Sequence, residues 1–192
     1  MTISSVKRIL FYLVLIGIFS FSNQFGFRDY AFAQNSKIDS LFMKLKDEDT
    51  KNYQEIEEKI WSEWRKSGST KSDLLLRRGM DSMSRGDFIA SVEHLSAAID
   101  YTPNFAEAWN MRATVFFLMK KYNLSVSDIQ QTLKLNPRHF GALSGLGMIF
   151  ERSGKPKQAL EVYKKLLEVH PRSRNAIQSV NRLIKDLEGT SL

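Results

Sequence analysis

Three prolines stand at equal distances along this chain of 192 residues. Pro103, Pro137 and Pro171 are 34 residues apart, and residues of the same chemical type recur at fixed positions before each of them. The recurring sets are Leu75, Trp109 and Leu143; Gly79, Ala113 and Gly147; Leu95, Ile129 and Tyr163; and Tyr101, Leu135 and Val169. A constant period of this length is typical of stacked helix pairs. The pattern therefore predicts an all-α solenoid that works by binding rather than by catalysis.

The period divides most of the chain into three predicted units of two helices each, which cover residues 72–105, 106–139 and 140–173. Residues 34–71 carry apolar side chains at helical spacing but lack the closing proline, so they predict a degenerate helix pair. Residues 174–192 predict a C-terminal helix with one apolar and one polar face. Such a helix would cap the stack, whose last apolar face must be shielded from water.

Turn and capping residues give the expected ends of the helices. In the first unit we expect helices over Asp73–Ser84 and Phe88–Tyr101 with a turn at Gly86, and in the second unit a turn at Lys120-Lys121. In the third unit, Gly154 and Pro156 have the glycine-after, proline-first order of a helix junction. Asn104 and Glu107 have the spacing of a capping box at the start of the second unit.

The first 33 residues have the order of a secretory signal peptide. Lys7 and Arg8 precede the apolar run Ile9–Phe21, and Ala31-Phe32-Ala33 supplies small residues for a cleavage site. The run of 13 residues is shorter than the roughly 20 that span a bilayer. We expect cleavage after Ala33 and export to a bacterial periplasm; an uncleaved membrane anchor is the alternative.

Composition narrows the possible partners and cofactors. The net charge of +7 is spread over helix faces rather than gathered in a block, and export also argues against nucleic acid as a partner. The chain has no cysteine, so disulfides cannot support the fold. His94, His139 and His170 have no partner at ligand spacing, so no metal or other cofactor is expected. Gly141, Gly145 and Gly147 lack the strand of a nucleotide-binding fold and indicate close helix packing instead.

These residues resemble the tetratricopeptide repeat family, over about 102 residues. The second unit carries the resemblance best and the other two carry parts of it. The matching residues are Trp109, Ala113, Phe116, Tyr122, Leu135 and Pro137 in the second unit; Gly79, Gly86, Phe88, Leu95, Ala98, Tyr101 and Pro103 in the first; and Leu143, Leu146, Gly147, Gly154, Ala159, Tyr163 and Pro171 in the third.

The resemblance implies that the first helix of each unit lines a concave groove that receives a peptide or a helix. That role falls on Leu76, Met80, Met83, Asn110, Thr114, Phe117, Ser144 and Met148, with Glu151 at the last position of the third unit. Asn110 would hold a peptide backbone. The basic clamp with which some relatives capture a terminal carboxylate is missing, because Leu76, Met80, Thr114 and Ser144 stand at its positions. We also expect an ion pair between Arg112 and Asp128 within the second unit.

Several alternatives remain at this level. The helices of residues 36–66 could fold over the groove and bury Met80 and Met83. Trp61 and Trp64 indicate core more than a sugar-stacking platform, because they lie on an apolar stripe. A hydrolase would have to rely on Glu107 or Glu151, since no nucleophile, base and orienting group can be assembled from the spacing.

We therefore expect a non-enzymatic, exported adaptor that docks a protein or peptide segment in its groove. The alternative is a chaperone-like accessory of the cell envelope, which would hold apolar segments of many clients. The two hypotheses differ in the number of partners. The sequence does not indicate the partner's identity or the oligomeric state.

Overall fold

A computed structural model describes residues 36–47 and 49–189. The predicted leader, residues 1–33, lies outside this range. The chain divides into two compact units, Met1–Leu41 and Phe42–Leu192. Within the first unit the description is limited to residues 36–41, which are helical. Every contact discussed below lies within the second unit.

The described residues form nine α-helices and no strands, which confirms the predicted all-α class. Their bounds are residues 36–46 for α1, Tyr53–Trp64 for α2, Thr70–Ser84 for α3, Phe88–Tyr101 for α4, Ala106–Leu118 for α5, Tyr122–Leu135 for α6, Phe140–Arg152 for α7, Pro156–Val169 for α8 and Arg174–Gly189 for α9. Helix α4 has the bounds expected from sequence, whereas α3 begins three residues before the expected Asp73, after Ser69 accepts a cap hydrogen bond.

Helices α3 to α8 form three hairpins that stack in chain order. The most extensive contacts lie within the pairs α3/α4, α5/α6 and α7/α8, and α4 packs on α5 as α6 packs on α7. The first helices of successive pairs also touch, α3 with α5 and α5 with α7. Helix α9 covers α8 at the end of the stack. This arrangement is the α-solenoid of helix hairpins that the 34-residue period predicts.

A small residue at one position of each pair lets its two helices approach closely. A Cβ atom on Gly79 would lie 2.6 Å from Leu95 Cγ, and a Cβ on Gly147 would lie 2.6 Å from the ring of Tyr163. In the middle pair, Ala113 and Ile129 lie in one buried cluster. Interiors packed at crystal-like density leave no room for larger groups at these contacts.

Buried serines reinforce the same contact in two of the pairs. The hydroxyl of Ser91 donates to the carbonyl of Gly79 at 2.7 Å, and that of Ser125 donates to the carbonyl of Ala113 at 2.8 Å. In both pairs the two residues are twelve positions apart. The third pair has Ala159 at the corresponding position, which is buried without such a bond. The serine bonds therefore lock the small residue of one helix to its partner.

The three turns inside the hairpins share one backbone conformation but not one residue type. Gly86 and Gly154 have positive φ angles of 78° and 67°, and Lys120, at the same register, has a φ of 59°. Glycine adopts this left-handed region freely, whereas a side chain with a Cβ is strained there. Lys120 is the single non-glycine residue with positive φ among the described residues.

The expected capping box at the start of α5 is wrong. Phe105 occupies the N-cap position with no side-chain bond, and the carboxylate of Glu107 is buried and bonded to His139. An imidazole caps α7 instead, because the backbone N–H of Ala142 donates to His139 Nδ1 at 3.2 Å. The partner of Glu107 lies 32 residues away, outside any local capping pattern.

The expected ion pair between Arg112 and Asp128 is confirmed. It is bidentate, with Arg112 Nε 2.7 Å from Asp128 Oδ2 and Nη2 2.9 Å from Oδ1. A third guanidinium nitrogen donates to Ser96 Oγ at 2.9 Å. Arg112 thus joins α5 to α6 and to α4, and both charges of the pair are satisfied inside the stack.

Helix α2 packs on the start of α7 through its tryptophans, as the apolar stripe predicts. The ring of Trp64 stacks on His139 with centroids 4.2 Å apart, and Trp61 meets Phe140 edge-on at 5.0 Å. A Cβ on Gly141 would lie 2.5 Å from Trp61 Cη2, so only glycine allows this docking.

A second set of contacts holds the beginning of α2 near the end of α8. His170 Nε2 lies 3.3 Å from Glu57 Oε2, and the ring of Tyr53 meets that of His170 edge-on at 6.2 Å. The guanidinium of Arg172 donates to the backbone carbonyls of Asp47 and Thr50. The pKa of Glu57 is below its usual value of 4.5, and the hydrogen bond with His170 is the largest cause of this decrease.

Helix α9 is tied to the stack through one carboxylate. Glu151 of α7 accepts a hydrogen bond from Tyr163 Oη at 2.8 Å and lies 2.6 Å from Arg182 of α9. Burial, with the hydrogen bond and negative charge of Glu151, raises the pKa of Tyr163 to about 12. Ala176 and Leu183 are buried on the same helix, so α9 acts as the expected cap.

We expect Gly147→Ala to destabilise the protein by about 1–3 kcal/mol, because its Cβ overlaps the ring of Tyr163. Gly145→Ala is the matched control in the same helix, since its Cβ lies an ordinary 3.5 Å from Ile129 Cδ1. That control should gain up to about 1 kcal/mol from helix propensity. Chemical denaturation measures both values, and equal effects of the two changes would contradict the close-contact assignment.

We expect Lys120→Gly to raise the free energy of unfolding by about 1 kcal/mol, because glycine relieves the left-handed strain. Lys120→Ala removes the same charge but keeps the strain, so it serves as the control. Urea unfolding of the three proteins provides the comparison. An alanine variant as stable as the glycine variant would show that the charge, not the backbone, causes the change.

We expect the contribution of Glu57 to stability to depend on pH. A lowered carboxyl pKa means that the stabilisation is fully present above about pH 4.5 and is lost as the pH falls through the folded-state pKa. Since Glu57 is partly exposed, Glu57→Gln should cost less than about 1 kcal/mol near pH 6. Unfolding of both proteins between about pH 3 and pH 7 tests this; a difference that grows in acid would contradict it.

Candidate functional site

A cavity of about 310 Å³ lies between α5, α6 and α7. Its volume is at the lower end of the range of roughly 300–1,000 Å³ found for ligand sites. We call it the α5–α7 cavity. The lining residues are Asn110, Ala113, Thr114, Phe117, Leu118, Ser125, Ile129, Gly141, Ala142, Ser144, Gly145 and Met148.

Small side chains where α5 faces α7 create this space. Ala113, Ser144 and Gly145 face the cavity, and only Ile129 of α6 comes within contact distance of a Cβ on Gly145. Larger residues stand nearer the carboxyl ends of the two helices, where Leu118 is 46% exposed and Met148 is 40% exposed. The cavity therefore has an apolar mouth at that end.

Five of the eight residues predicted to line a groove come together here: Asn110, Thr114, Phe117, Ser144 and Met148. The other three lie on the first hairpin and do not line this cavity. Leu76 is 1% exposed in the core of that hairpin, and Met80 and Met83 are half-buried against the same core. Glu151 faces Tyr163 and Arg182 rather than the cavity.

Most polar donors of the cavity wall are already used within the protein. The hydroxyl of Thr114 donates to the carbonyl of Asn110 at 3.0 Å, and that of Ser125 donates to Ala113. The amide nitrogen of Asn110 donates to Glu107 Oε2 at 3.3 Å, which fixes the orientation of this side chain at the cavity wall. The remaining wall favours an apolar occupant.

Buried polar groups stabilise the end of the cavity at which α5 and α7 begin. Glu107 Oε2 lies 2.9 Å from His139 Nε2, and both side chains are fully buried. Because His139 Nδ1 accepts the N–H of Ala142, the ring proton resides on Nε2 and is donated to Glu107. Trp64 stacks on this imidazole and Trp61 lies on Gly141, so α2 covers this end. The exposed lining residues Leu118 and Met148 lie toward the other end.

Arg152 places a positive charge at the mouth of the cavity. The guanidinium carbon of Arg152 lies 5.1 Å from the ring centroid of Phe117, within cation–π range. Arg152 is exposed at the last residue of α7. The mouth therefore combines apolar surface with positive charge.

In the part of the chain that the structure describes, both carboxylates considered as catalytic acids are bonded to other side chains. Glu107 is bonded to His139, and Glu151 to Tyr163 and Arg182, so neither carboxylate is free to act as an acid in the cavity. Over residues 36–47 and 49–189 there is no group of three side chains suited to a metal ion. In the same ranges, no helix has the length and apolarity needed to traverse a bilayer.

Sequence reasoning missed part of the lining, including Leu118 and the glycines of α7. Gly141 and Gly145 were assigned to close packing, which is correct for Gly141 against Trp61. Gly145 instead leaves space. The available signal was the spacing of Gly141, Ser144 and Gly145, which puts three small residues on one face of a helix whose counterpart carries Ala113.

Comparisons with known proteins agree with the geometry. A family model described as tetratricopeptide repeat matches residues 119–176. The chain is 36% identical over 163 residues to a TPR repeat-containing protein of Rhizobium etli. The aligned region covers 84% of this chain and 80% of that protein. The chain is 30% identical over 112 residues to small glutamine-rich tetratricopeptide repeat-containing protein 2 of Saccharomyces cerevisiae, but spans only 32% of that protein.

A solved structure shows the same fold. The first TPR of Spaghetti (RPAP3), bound to an HSP90 peptide, superposes with a TM-score of 0.60 at 22% identity, over 62% of this chain and 95% of that one. Tetratricopeptide repeats are typical of protein–protein interaction, and the proteins that carry them are typically non-catalytic adaptors. From its period, its hairpins and the extent of its similarity to the Rhizobium protein, this chain belongs to the tetratricopeptide repeat family.

Proposed function

We propose that this protein is an exported adaptor that binds a segment of a partner protein in the α5–α7 cavity. The observation that carries the proposal is an apolar cavity with exposed Leu118 and Met148 at its mouth. An apolar side chain that fills this cavity is removed from water and gains dispersion contacts with the wall. Both effects favour binding. The signal-like pattern of residues 1–33 supports export, to a bacterial periplasm.

The binding mode follows from the wall of the cavity. With the hydroxyls of Thr114 and Ser125 used internally, most of the affinity comes from burial of apolar side chains. The side-chain amide of Asn110 adds a hydrogen bond to the backbone of the segment. An amphipathic helix or a short extended segment supplies such side chains. Met80 and Met83 on the first hairpin extend the apolar surface for a longer partner segment.

A chaperone-like accessory that holds many clients is the second candidate. The exposed thioether of Met148 favours it, because methionine is flexible and adapts to different surfaces. The two candidates share the site and differ in the number of partners. They are separated by the products of a crosslinking experiment.

We expect a photo-crosslinking amino acid at position 148 to capture partner proteins in the native cells. One dominant product identifies an adaptor, and a broad spread of products identifies a chaperone-like accessory. The same group at Lys134, exposed on α6 and outside the cavity, is the position control. Identical products from both positions would overturn the proposal.

We expect Met148→Asp to lower partner capture at least about tenfold, because a lone carboxylate buried in an apolar contact is costly. Leu74→Asp is a matched control, since Leu74 is 39% exposed, close to the 40% of Met148, and lies outside the cavity. Quantitative affinity purification from a crosslinked lysate measures both. Equal capture by the two variants would remove the cavity from the mechanism.

A further inference from the structure

Four cationic side chains lie at the two turns beside the mouth of the α5–α7 cavity. They are Lys120 and Lys121 after α5, Arg152 at the end of α7, and Lys155 in the turn that follows. We call them the cationic rim. All four are exposed, and none has an ion-pair partner among the described residues.

The topology brings both turns to the same end of the cavity. Helices α5 and α7 are the first helices of successive hairpins and touch each other, so they run in the same direction and end side by side. Leu118 and Met148 line the cavity near those ends. The contact between Arg152 and the ring of Phe117 places this cation at the mouth, and the three lysines lie in the turns that follow the two helices.

The acidic side chains nearby do not balance the rim. Between residues 117 and 157 the only carboxylates are Asp128 and Glu151. Asp128 is held by Arg112, and Glu151 is held by Arg182 and Tyr163. The four cations thus have no carboxylate paired with them, and such a surface attracts an acidic partner and repels a basic one.

The backbone at Lys120 provides an independent observation. The other two hairpin turns use Gly86 and Gly154 at this register, and the turn beside the cavity uses a lysine held in the left-handed region. The backbone N–H of Lys121 closes the end of α5 by donating to the carbonyl of Phe116, and Asp87 and Lys155 close the other two turns in the same way. The fold thus requires the left-handed conformation, while the lysine in place of glycine adds an ammonium group to the turn after α5.

We propose that the cavity recognises an acidic segment with one bulky apolar side chain. This inference rests on the proposed function and specifies its partner. The apolar side chain fills the space between α5 and α7, and neighbouring carboxylates contact the cationic rim. The carboxylates are internal to the segment, because Leu76, Met80, Thr114 and Ser144 stand where capture of a terminal carboxylate would require a basic clamp.

A peptide fits the rim better than a lipid headgroup does. The four cations are distributed over two turns that belong to different hairpins, so several separated carboxylates match them better than one compact phosphate. The apolar space is also short, since α2 covers its far end at Gly141. An acidic peptide is therefore the occupant that the observations favour, and an anionic membrane becomes an outcome of the test.

Binding of three fluorescein-labelled peptides to the purified protein tests the inference. The probes are Asp-Glu-Phe-Glu-Asp, its neutral analogue Asn-Gln-Phe-Gln-Asn, and Asp-Glu-Ala-Glu-Asp, each with blocked termini so that no terminal carboxylate contributes. Fluorescence anisotropy should show the first peptide binding about tenfold or more tightly than either of the others. Its affinity should fall as the salt concentration rises from about 0.05 to about 0.5 M, because salt screens exposed charges.

Variants of the rim separate its role from that of the cavity. Lys120→Gly and Arg152→Gln should each weaken the acidic phenylalanine peptide about three- to tenfold and leave the neutral analogue within about twofold. Lys134→Gln is the charge-matched control, because Lys134 is exposed at the opposite end of the α5/α6 hairpin. Met148→Asp should weaken both phenylalanine peptides.

Results that differ from these expectations would reject the acidic partner, the cavity or the proposed function, depending on which peptide or variant differs. Equal affinity for the acidic and neutral phenylalanine peptides, or no effect of the rim variants, rejects the acidic partner but retains an apolar site. Binding that survives Met148→Asp rejects the cavity and the proposed function together. No binding of the acidic phenylalanine peptide at about 1 mM (a free energy of about −4 kcal/mol) rejects the inference, while crosslinked partners at position 148 would still support the proposed function. Stronger binding to vesicles of anionic phospholipid that compete with the peptide identifies a membrane instead.

Discussion

The close approach of two helices at one small residue is the contact on which this structure depends. Gly79 and Gly147 allow Leu95 and Tyr163 to pack directly on the backbone of the facing helix. Ser91 and Ser125 then bond to the carbonyl at that same point in the first two pairs. Once the distance within each hairpin is fixed, the hairpins can stack only in a narrow range of geometries. The 34-residue period of the sequence reflects this constraint, because a small residue recurs at the same position of every hairpin.

The α5–α7 cavity follows from the same geometry. Hairpin stacking brings α5 beside α7, and small residues on both faces leave the space between them unfilled. Internal hydrogen bonds use the hydroxyls of Thr114 and Ser125, and α2 covers the end at Gly141. The site is thus shaped by the repeat, while part of its chemical character comes from residues that depart from the repeat. Lys120, which replaces the glycine of the other two turns, is the clearest of these.

The period predicted the helix class and the pairing, and residue chemistry predicted the ion pair between Arg112 and Asp128, because these features repeat or lie within one hairpin. The capping prediction for Glu107 failed because its true partner, His139, belongs to the next hairpin. The docking of α2 could not be predicted, since residues 53–64 carry an apolar stripe but no signal for its target. Five of the predicted groove residues line the cavity, whereas Leu76 lies in the core because its neighbours enclose it.

The contact between Glu57 and His170 also bears on how the chain folds. Repeat arrays usually contact only their neighbours in sequence, so each unit can form and open almost independently. Here a hydrogen bond joins residues 113 positions apart and closes a long loop over all three hairpins. Closing such a loop costs conformational entropy and slows folding, and the contact links residues that precede the first hairpin to the end of the third. It therefore favours cooperative folding of α2 with the last hairpin over a process that proceeds repeat by repeat from one end.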